Sequence, residues 1–175
     1  MKTPIAIVWF RQDLRLHDNP ALAAAAASGA SVLPLYILDD ENAGEWAMGA
    51  ASRWWLHQSL NSLNASLGGG LIVQKGDAGK IVPAIASETG AAAVYWNRCY
   101  EPWRIDRDKR IRRTLQAQGT AVHSYNGSLL FEPASVLKGD GSPYRVFTPY
   151  YRNGCLRASA APRKPAGKPR HLQLA

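Results

Sequence analysis

The sequence predicts an α/β fold in three layers: an open, five-stranded parallel sheet with helices on both faces. Short apolar runs that suit strands alternate with longer segments of helical periodicity. Glycines, prolines and helix-capping residues punctuate the boundaries between them. The length of 175 residues suits one domain with a real core. Alternation of this kind favours parallel strands joined by right-handed crossovers.

The five predicted strands are apolar runs of similar length. The first, IAIVWF (5–10), is continuously apolar, as expected of a parallel strand buried on both faces. The second, SVLPLYIL (31–38), contains Pro34, which has no N–H for a ladder and therefore suggests a sheet edge or a bulge. The other three are LIVQKG (71–76), AAAVYWN (91–97) and TAVHSY (120–125).

The first two helices have clear start and stop signals. Asn19 can cap the first helix, Pro20 suits its first turn and Gly29 can end it. The second helix is predicted to begin near Ser52 and to end at the glycines 68–70. Its leucines recur at helical spacing and share one face: Leu56, Leu60, Leu63 and Leu67.

Two further helices follow, and a short one near residue 148. Asp77 can cap a helix that runs to about residue 87, although Pro83 lies inside it. A charged helix is predicted over 105–118, with ion pairs at four-residue spacing. These pairs are Asp106 with Arg110 and Asp108 with Arg112. Thr148 before Pro149 predicts an N-cap and first turn for the short helix.

Charge is distributed unevenly along the chain. The formal net charge is +8, but no acidic residue follows Gly141, and the first 140 residues are nearly neutral. The basic segment 157–175, rich in Pro and Ala, is expected to be a flexible linker; the alternative is an arm that binds DNA phosphates weakly and without specificity. We therefore predict an α/β domain over 1–132 and an exit segment, helix and linker over 133–175.

Composition excludes several classes of protein. No apolar run approaches the roughly 20 residues that span a bilayer, and no signal peptide precedes the first strand, so the cytoplasm is expected. The two cysteines, Cys99 and Cys155, are expected to be free thiols. The four histidines are scattered without metal-ligand spacing, and no metal site is predicted.

The fold predicts where a ligand would bind. Ligands of open α/β sheets lie beyond the carboxyl ends of the strands, which points to the segments 10–15, 39–41 and 97–101. The first of these has no glycine, which argues against a dinucleotide-binding or P-loop phosphate site. Asp13 and Arg15, with Asp18, are expected to hold this turn against neighbouring helix ends, while Arg11 faces the ligand.

Five stretches follow one another along the chain: WFRQDLRLHDNPAL, ASRWWLHQSLNSL, YWNRCYEPWRIDRD, NGSLLFEP and YRVFTPYYR. Together they cover roughly residues 5 to 157. In this order they resemble the DNA photolyase and cryptochrome family, most closely its bacterial photolyase branch.

The resemblance implies the Rossmann-like amino-terminal antenna domain of a deoxyribodipyrimidine photo-lyase. Such a domain holds a light-harvesting chromophore, methenyltetrahydrofolate or 8-hydroxy-5-deazaflavin, that passes excitation energy to FAD. The helical FAD domain, which would be this domain's partner, is expected to be absent from the chain. The parent enzyme would be a carbon–carbon lyase that repairs pyrimidine dimers in DNA, and the chain alone is predicted to be inactive.

The resemblance also implies which residues line the chromophore slot. They are Trp9, Phe10, Arg11, Ile37, Leu38, Asp39, Arg53, Asn97, Arg98, Cys99 and Glu101. Two positions depart from the family patterns. Arg104 stands where folate-binding relatives have an acid, and Cys99 stands where deazaflavin-binding relatives have one, so the chromophore is left open.

Alternatives remain at this level. The same domain could belong to a cryptochrome photosensor, or the chain could be a stand-alone module that binds an adenine nucleotide. Glu101 could simply pair with Arg98, Arg104 or Arg53 on the surface. Most of the six tryptophans are expected to be packing residues. The aromatic run around Phe147 to Tyr151 predicts a concentration-dependent dimer.

Overall fold

A single parallel sheet organises the chain in a computed structural model that describes residues 3–157 and 162–175. Within these residues the sheet has five parallel strands, as predicted, and their order is β3-β2-β1-β4-β5. The strands are β1 (Ile5–Phe10), β2 (Ser31–Leu38), β3 (Ile72–Lys75), β4 (Ala93–Asn97) and β5 (Ala121–Tyr125). The strand order reverses between β1 and β4, where the crossovers change direction.

Four helices connect the strands: α1 (Pro20–Ala27), α2 (Ala50–Ser66), α3 (Ala78–Thr89) and α4 (Pro102–Ala117). A 3-10 turn, Gly44–Trp46, precedes α2. Helix α1 is capped by Asn19 and α3 by Asp77, as predicted. No helix among the described residues is long and apolar enough to cross a membrane.

The side chains of β1 divide between two cores because successive residues of a strand point to opposite faces. Val8 and Phe10 pack with Leu22 of α1 and Leu63 of α2 on one face. Ile7 and Trp9 pack on the other face, with the buried residues Val82, Trp96, Ile111 and Leu115 from α3, β4 and α4. The helices therefore cover both faces, which gives the predicted three layers.

Pro34 does not mark a sheet edge, because β2 lies between β1 and β3. The ladder with β3 begins only at Leu35. The N–H of Val32 points away from β1 and donates to the carbonyl of Gln173. Because the backbone groups of a strand alternate in direction, the nitrogen of Pro34 points to the same side as that of Val32. The missing N–H of Pro34 therefore falls in the gap before β3, where no ladder partner is required.

Several local predictions were wrong. Helix α2 begins at Ala50 after Gly49 and α4 begins at Pro102, each a few residues earlier than expected. The short helix Phe147–Pro149 follows Val146 and continues as a π-turn over Tyr150–Cys155. Thr148 therefore lies inside the helix and is not its cap.

The ion pairs predicted along α4 are replaced by others. Asp106 pairs with Lys109 at 3.3 Å, and Asp108 pairs with Arg107 at 2.9 Å and with Arg11 of the β1–α1 turn. The carboxylate of Asp108 is largely buried, and it pairs with the buried guanidinium groups of Arg11 and Arg107 and not with Arg112 on the same helix. Arg112 instead donates to Ser124 of β5.

The described residues divide into two units, one formed by residues up to 127 together with 166–175, the other by 128–165. Residues 166–175 were expected to be a linker, but they return to the sheet. Leu174 bridges to Val32 in parallel and packs into the core, where Gly70 makes room: a Cβ at Gly70 would lie 2.7 Å from Leu174 Cδ1. The predicted domain boundary after residue 132 stays a prediction.

Candidate functional site

The turn after β1 is built around the buried carboxylate of Asp13. Asp13 accepts hydrogen bonds from the backbone N–H of Arg11 at 2.8 Å and from the side-chain amides of Asn19 and Asn97. Asn97 stands at the end of β4 and Asn19 caps α1. The network joins the carboxyl ends of β1 and β4, and it fills the crevice at the point where the strand order reverses.

Arg15 and Asp18 hold the rest of this turn. Arg15 donates to the carbonyl of Asp18 at 2.9 Å and to that of Gly127 at 2.6 Å. Asp18 has a left-handed backbone conformation, with φ of 49°. Its N–H donates to the carbonyl of Ala166 at 2.8 Å, and its Oδ1 accepts from the N–H of Ala166 at 3.0 Å. The structure therefore supports the structural interpretation of Asp13, Arg15 and Asp18.

The amino terminus of α1 offers no free donors to a phosphate. The N–H of Ala21 donates to Asn97 Oδ1 at 3.2 Å, and the N–H of Leu22 donates to Asn19 Oδ1 at 3.1 Å. A phosphate site at a helix start requires such groups to point at the ligand. Nucleotide binding of the usual α/β kind is therefore disfavoured at this position.

A cleft opens beside this plugged crevice, between the ends of β1 and β2 and the first turns of α4. Its floor includes Trp9 from β1, and its walls carry aromatic, apolar and charged side chains. The lining residues are Trp9, Arg11, Gln12, Tyr36, Ile37, Leu38, Asp39, Asp40, Ala43, Trp46, Met48, Trp103, Arg104 and Arg107.

Two buried arginines of the cleft form an ion-pair network with two carboxylates. Arg107 is 3% exposed and pairs with Asp39 at 3.2 Å and with Asp108 at 2.9 Å. Arg11 also pairs with Asp108. Each carboxylate therefore has a buried cation, as burial of charge requires. Arg104, largely buried, adds a further positive charge to the wall.

Guanidinium groups and indole rings alternate through the cleft. The Arg107 guanidinium lies 4.8 Å from the ring centroid of Trp9 and 5.1 Å from that of Trp103. Arg11 lies 4.9 Å from Trp9, and Arg104 lies 4.9 Å from Trp103. These cation–π contacts fix the orientation of both rings.

Four buried nitrogen atoms have no hydrogen-bond partner in the described part of the chain. They are Trp9 Nε1, Arg11 Nε, Arg11 Nη2 and Arg104 Nε. All four belong to residues that line the cleft, and all four are donors. Unsatisfied buried polar groups are costly and rare in folded proteins. The residues around the cleft therefore contain buried donors that no group of the described residues satisfies.

Two titratable groups of the site have shifted pKa values. Burial raises the pKa of Tyr36 to about 12, with Asp40 adding to the shift and Arg104 opposing it. Burial also raises the pKa of Glu101, but backbone hydrogen bonds, the Arg104 guanidinium and the Gln12 amide together hold it below its ordinary value. At neutral pH the site therefore contains a neutral tyrosine and an ionised glutamate.

Five of the residues predicted to line the slot do line this cleft: Trp9, Arg11, Ile37, Leu38 and Asp39. Glu101 borders an adjoining slot that it shares with Trp46, Pro102, Trp103 and Arg104. It lies 3.8 Å from Arg104, so the expected surface pair is also present.

The other predicted residues lie elsewhere. Arg53 supports the cleft from outside, with bonds to Asp40 and to the Met48 carbonyl, and Cys99 lies 3.5 Å from Arg104. The remaining three point away from the cleft: Phe10 into the α1–α2 core, Asn97 to Asp13 and Arg98 to Ser124.

Sequence reasoning missed the α4 wall of the cleft. This wall consists of Trp103, Arg104 and Arg107, which are one and three residues apart. In a helix that follows a strand end, this spacing places them on adjoining faces of its first two turns. That signal was available once the helix began at Pro102. The expectation that tryptophans pack inside is confirmed for Trp9 and Trp96 and wrong for the exposed Trp46, Trp54 and Trp55.

An open parallel sheet with an aromatic, charged cleft beyond its strand ends defines an α/β domain with the cleft in the position where such folds bind ligands. Comparison with known proteins is more specific. The family model described as DNA photolyase matches residues 6–169. The chain belongs to the DNA photolyase family, in which it corresponds to the amino-terminal α/β domain.

Curated relatives include both functional branches of the family. A deoxyribodipyrimidine photo-lyase of Agrobacterium fabrum is 45% identical over 175 residues, which are 98% of this chain and 36% of that protein. Cryptochrome-1 of Arabidopsis thaliana is 39% identical over 171 residues, 95% of this chain and 25% of that protein. The chain thus spans about a third or less of the length of these relatives.

Solved structures agree in fold. A bacterial class III photolyase from Agrobacterium tumefaciens matches with a TM-score of 0.87 and 42% identity, covering all of this chain and 36% of that one. An archaeal photolyase from Sulfolobus tokodaii, described with two FAD molecules and a novel light-harvesting cofactor, matches with a TM-score of 0.78 and 26% identity, covering 98% of this chain and 38% of that one.

Proposed function

We propose that this domain binds a light-harvesting chromophore in the cleft between β1, β2 and α4, as part of a light-dependent DNA repair photolyase. The observation that carries the proposal is the cleft itself, a space beyond the strand ends in which the guanidinium groups of Arg11 and Arg104 lie against the indole rings of Trp9 and Trp103. Planar chromophores present ring nitrogens and carbonyl oxygens along one edge, and these are acceptors. Apolar and aromatic walls with a few fixed polar groups suit such a ligand.

Three chromophores fit this chemistry. Methenyltetrahydrofolate and 8-hydroxy-5-deazaflavin follow from the family resemblance, and FAD is suggested by the two FAD molecules described for the archaeal relative. Each offers acceptors to the donors of Arg11 and Trp9. Arg104 adds positive charge to the cleft, which suits an acceptor-rich or anionic edge.

In this proposal the residues of the chain bind and orient the chromophore. A chromophore that harvests light transfers excitation energy and needs no acid, base or nucleophile from the protein. Arg107, held by Asp39 and Asp108, keeps the rings of Trp9 and Trp103 in place, and Arg11 orients the ligand. The excitation energy would reach FAD in a part of the parent enzyme outside this chain, and repair of pyrimidine dimers in DNA would take place there.

Two alternatives remain as proposals of their own. Because the chain also matches cryptochromes, the first alternative is a photosensor that contains the same domain. A stand-alone nucleotide-binding module is disfavoured, because Asn19 and Asn97 already occupy the start of α1.

A titration tests the leading proposal. The purified chain is mixed with each of the three chromophores, with ATP as the control for the nucleotide alternative. We expect at least one chromophore to bind with a shifted absorption maximum and ATP not to bind. If a folded chain binds none of the three, the proposal is overturned.

A further inference from the structure

Residues 166–175 form a strap across the sheet that is anchored at both of its ends. At its start, Ala166 accepts from the N–H of Asp18 at 2.8 Å and donates to Asp18 Oδ1 at 3.0 Å. Near its end, the carbonyl of Gln173 accepts from the N–H of Val32 at 2.7 Å. The strap therefore connects the β1–α1 turn to the first half of β2.

Two leucines fasten the strap between these anchors. Leu172 and Leu174 pack against the core on the α1–α2 face of the sheet. Leu174 lies over Gly70, where an added Cβ would stand 2.7 Å from Leu174 Cδ1. Gly70 has no positive φ, so the close approach of Leu174, and not the backbone conformation, requires a glycine there. The strap is thus docked by a specific fit between side chains.

The Asp18 anchor belongs to the turn that carries Arg11 into the cleft. Arg15 Nη2 donates to the carbonyl of Asp18 at 2.9 Å, and the N–H of Arg15 donates to the carbonyl of Asp13 at 2.6 Å. Asp13 accepts from the N–H of Arg11 at 2.8 Å, and Arg11 lines the cleft. A continuous run of hydrogen bonds therefore leads from Ala166 to Arg11.

The backbone of Asp18 gives this run two distinct states. Its φ of 49° lies in the left-handed region, which is unfavourable for a residue other than glycine unless its surroundings impose it. The docked strap imposes it by bonding both the N–H and the carboxylate of Asp18. Once the strap is released, Asp18 returns to an ordinary φ, and the carbonyl that anchors Arg15 moves with it.

We propose that the strap is a conformational device that controls the order of the β1–α1 turn and, through it, the affinity of the cleft. With the strap docked, the turn is fixed and Arg11 is held in place. With the strap released, the turn loosens and the cleft binds its ligand more weakly. Because such coupling is reciprocal, a bound ligand strengthens docking of the strap. The effect on affinity rests on the proposed chromophore function, whereas control of the turn is a property of the free chain.

Amide hydrogen exchange in the full chain tests control of the turn. Gly70→Ala places a Cβ against Leu174 Cδ1 and should release the strap. We expect the N–H groups of Asp18 and Val32 to exchange about tenfold faster, as a packing defect that favours local opening predicts. Adding Leu174→Val removes the Cδ atoms and should restore slow exchange. The N–H of Ala121, which lies in the β4–β5 ladder, should stay protected in every variant and so shows that the sheet is folded.

Gly167→Ala is the matched control, because this glycine lies in the strap, has no positive φ and has open space around its Cβ position. It should leave both exchange rates unchanged. Titration of all variants with methenyltetrahydrofolate, 8-hydroxy-5-deazaflavin and FAD then tests the effect on the cleft. We expect Gly70→Ala to bind about fivefold more weakly, the lower end of ordinary coupling between two sites, and the double variant and the control to bind like the wild type.

The outcomes separate the strap from the chromophore site. If Gly70→Ala speeds exchange at Val32 but leaves Asp18 protected, or leaves both protected, the strap does not control the turn and the inference is overturned. If Asp18 exchanges faster but Gly70→Ala binds the chromophore as tightly as the wild type, coupling to the cleft is refuted. If the wild type binds none of the three chromophores, the proposed function fails, while control of the turn by the strap stands on the exchange at Asp18.

Discussion

The side-chain amide of Asn97 donates to the carboxylate of Asp13, which lies 84 residues earlier in the chain, and so ties the end of β4 to the turn after β1. Both side chains are buried, and Asn19 completes the group. The arrangement explains why a turn that follows an apolar strand contains so many charged residues: its carboxylate replaces the ligand that many α/β folds place between these strands.

Replacement of Asp13 with alanine should destabilise the fold. It leaves the amides of Asn19 and Asn97 without their shared acceptor, and a broken buried network of this kind costs about 1 to 3 kcal/mol. The free energy of unfolding from denaturant titration measures the effect. Asp106→Ala is the control, since Asp106 is exposed and pairs with the exposed Lys109, and should change stability by less than about 1 kcal/mol. Equal losses in the two variants would contradict the network.

Replacement of Arg11 with lysine should weaken chromophore binding more than it weakens the fold. Lysine keeps a positive charge near Asp108 but lacks the Nε and Nη2 donors, and Asp108 keeps its pair with Arg107. We expect about a tenfold loss of affinity, since one hydrogen bond to a charged group is removed, with a small change in melting temperature. Arg113→Lys, on the exposed face of α4, is the control. If Arg11→Lys binds the chromophore with normal affinity but melts at a lower temperature than the wild type, Arg11 has a purely structural role.

Stability should fall at acid pH partly through Asp77. Burial raises the pKa of Asp77, but hydrogen bonds from Asn42 and the Gly79 N–H, together with Lys80 and Arg110, hold it below the ordinary value of 3.8. The resulting stabilisation is complete above pH 3.8 and is lost as the pH falls through the lower folded-state pKa.

Asp77→Asn separates the charge from the cap, since asparagine caps helices about as well as aspartate. The variant should be less stable than the wild type at pH 7, and its stability should fall less between about pH 5 and pH 2. Denaturant unfolding at several pH values measures both. Asp106→Asn serves as the exposed control. A variant whose stability falls as steeply as that of the wild type would show that Asp77 does not contribute.

The chain should form a concentration-dependent dimer through its aromatic segment near residue 150. The rings of Phe147 and Tyr151 stack at 5.7 Å and are 72% and 46% exposed. Exposed apolar patches of this kind promote association. Sedimentation velocity across a concentration series should show the dimer, and Phe147→Ser should weaken it more than Leu130→Ser, which removes a side chain of 74% exposure. Monomer alone at high concentration would refute it.

The chain by itself should not repair DNA. With free FAD, blue light and DNA that contains pyrimidine dimers, we expect no turnover above a control with FAD alone, because the proposed role of this domain is chromophore binding. Chromatography of the digested DNA measures restored thymine. Repair above the control would place a flavin and lesion site within these 175 residues.

The site was only partly predictable from the sequence. Arg11 and Asp39 follow strand ends, and the rule that ligands bind beyond those ends located them. Trp9 lies within β1 and was assigned to the slot by the family resemblance. Trp103 and Arg107 lie within the first two turns of α4 and were missed, and the start of this helix was placed too late to include Trp103. Asn97 and Arg98 also follow a strand end, yet they bond to Asp13 and Ser124. The rule selects loops, and it cannot select the direction of each side chain.

By itself, the sequence determined the type and order of the elements. Apolar runs, the caps Asn19 and Asp77 and the glycine stops are local signals, because each acts within a few residues. Only the tertiary structure decided which charges meet. Arg11 reaches Asp108 across 97 residues and Arg107 reaches Asp39 across 68. A guanidinium group pairs with whichever carboxylate shares its buried volume, and that neighbour is set by how α4 packs against the ends of β1 and β2.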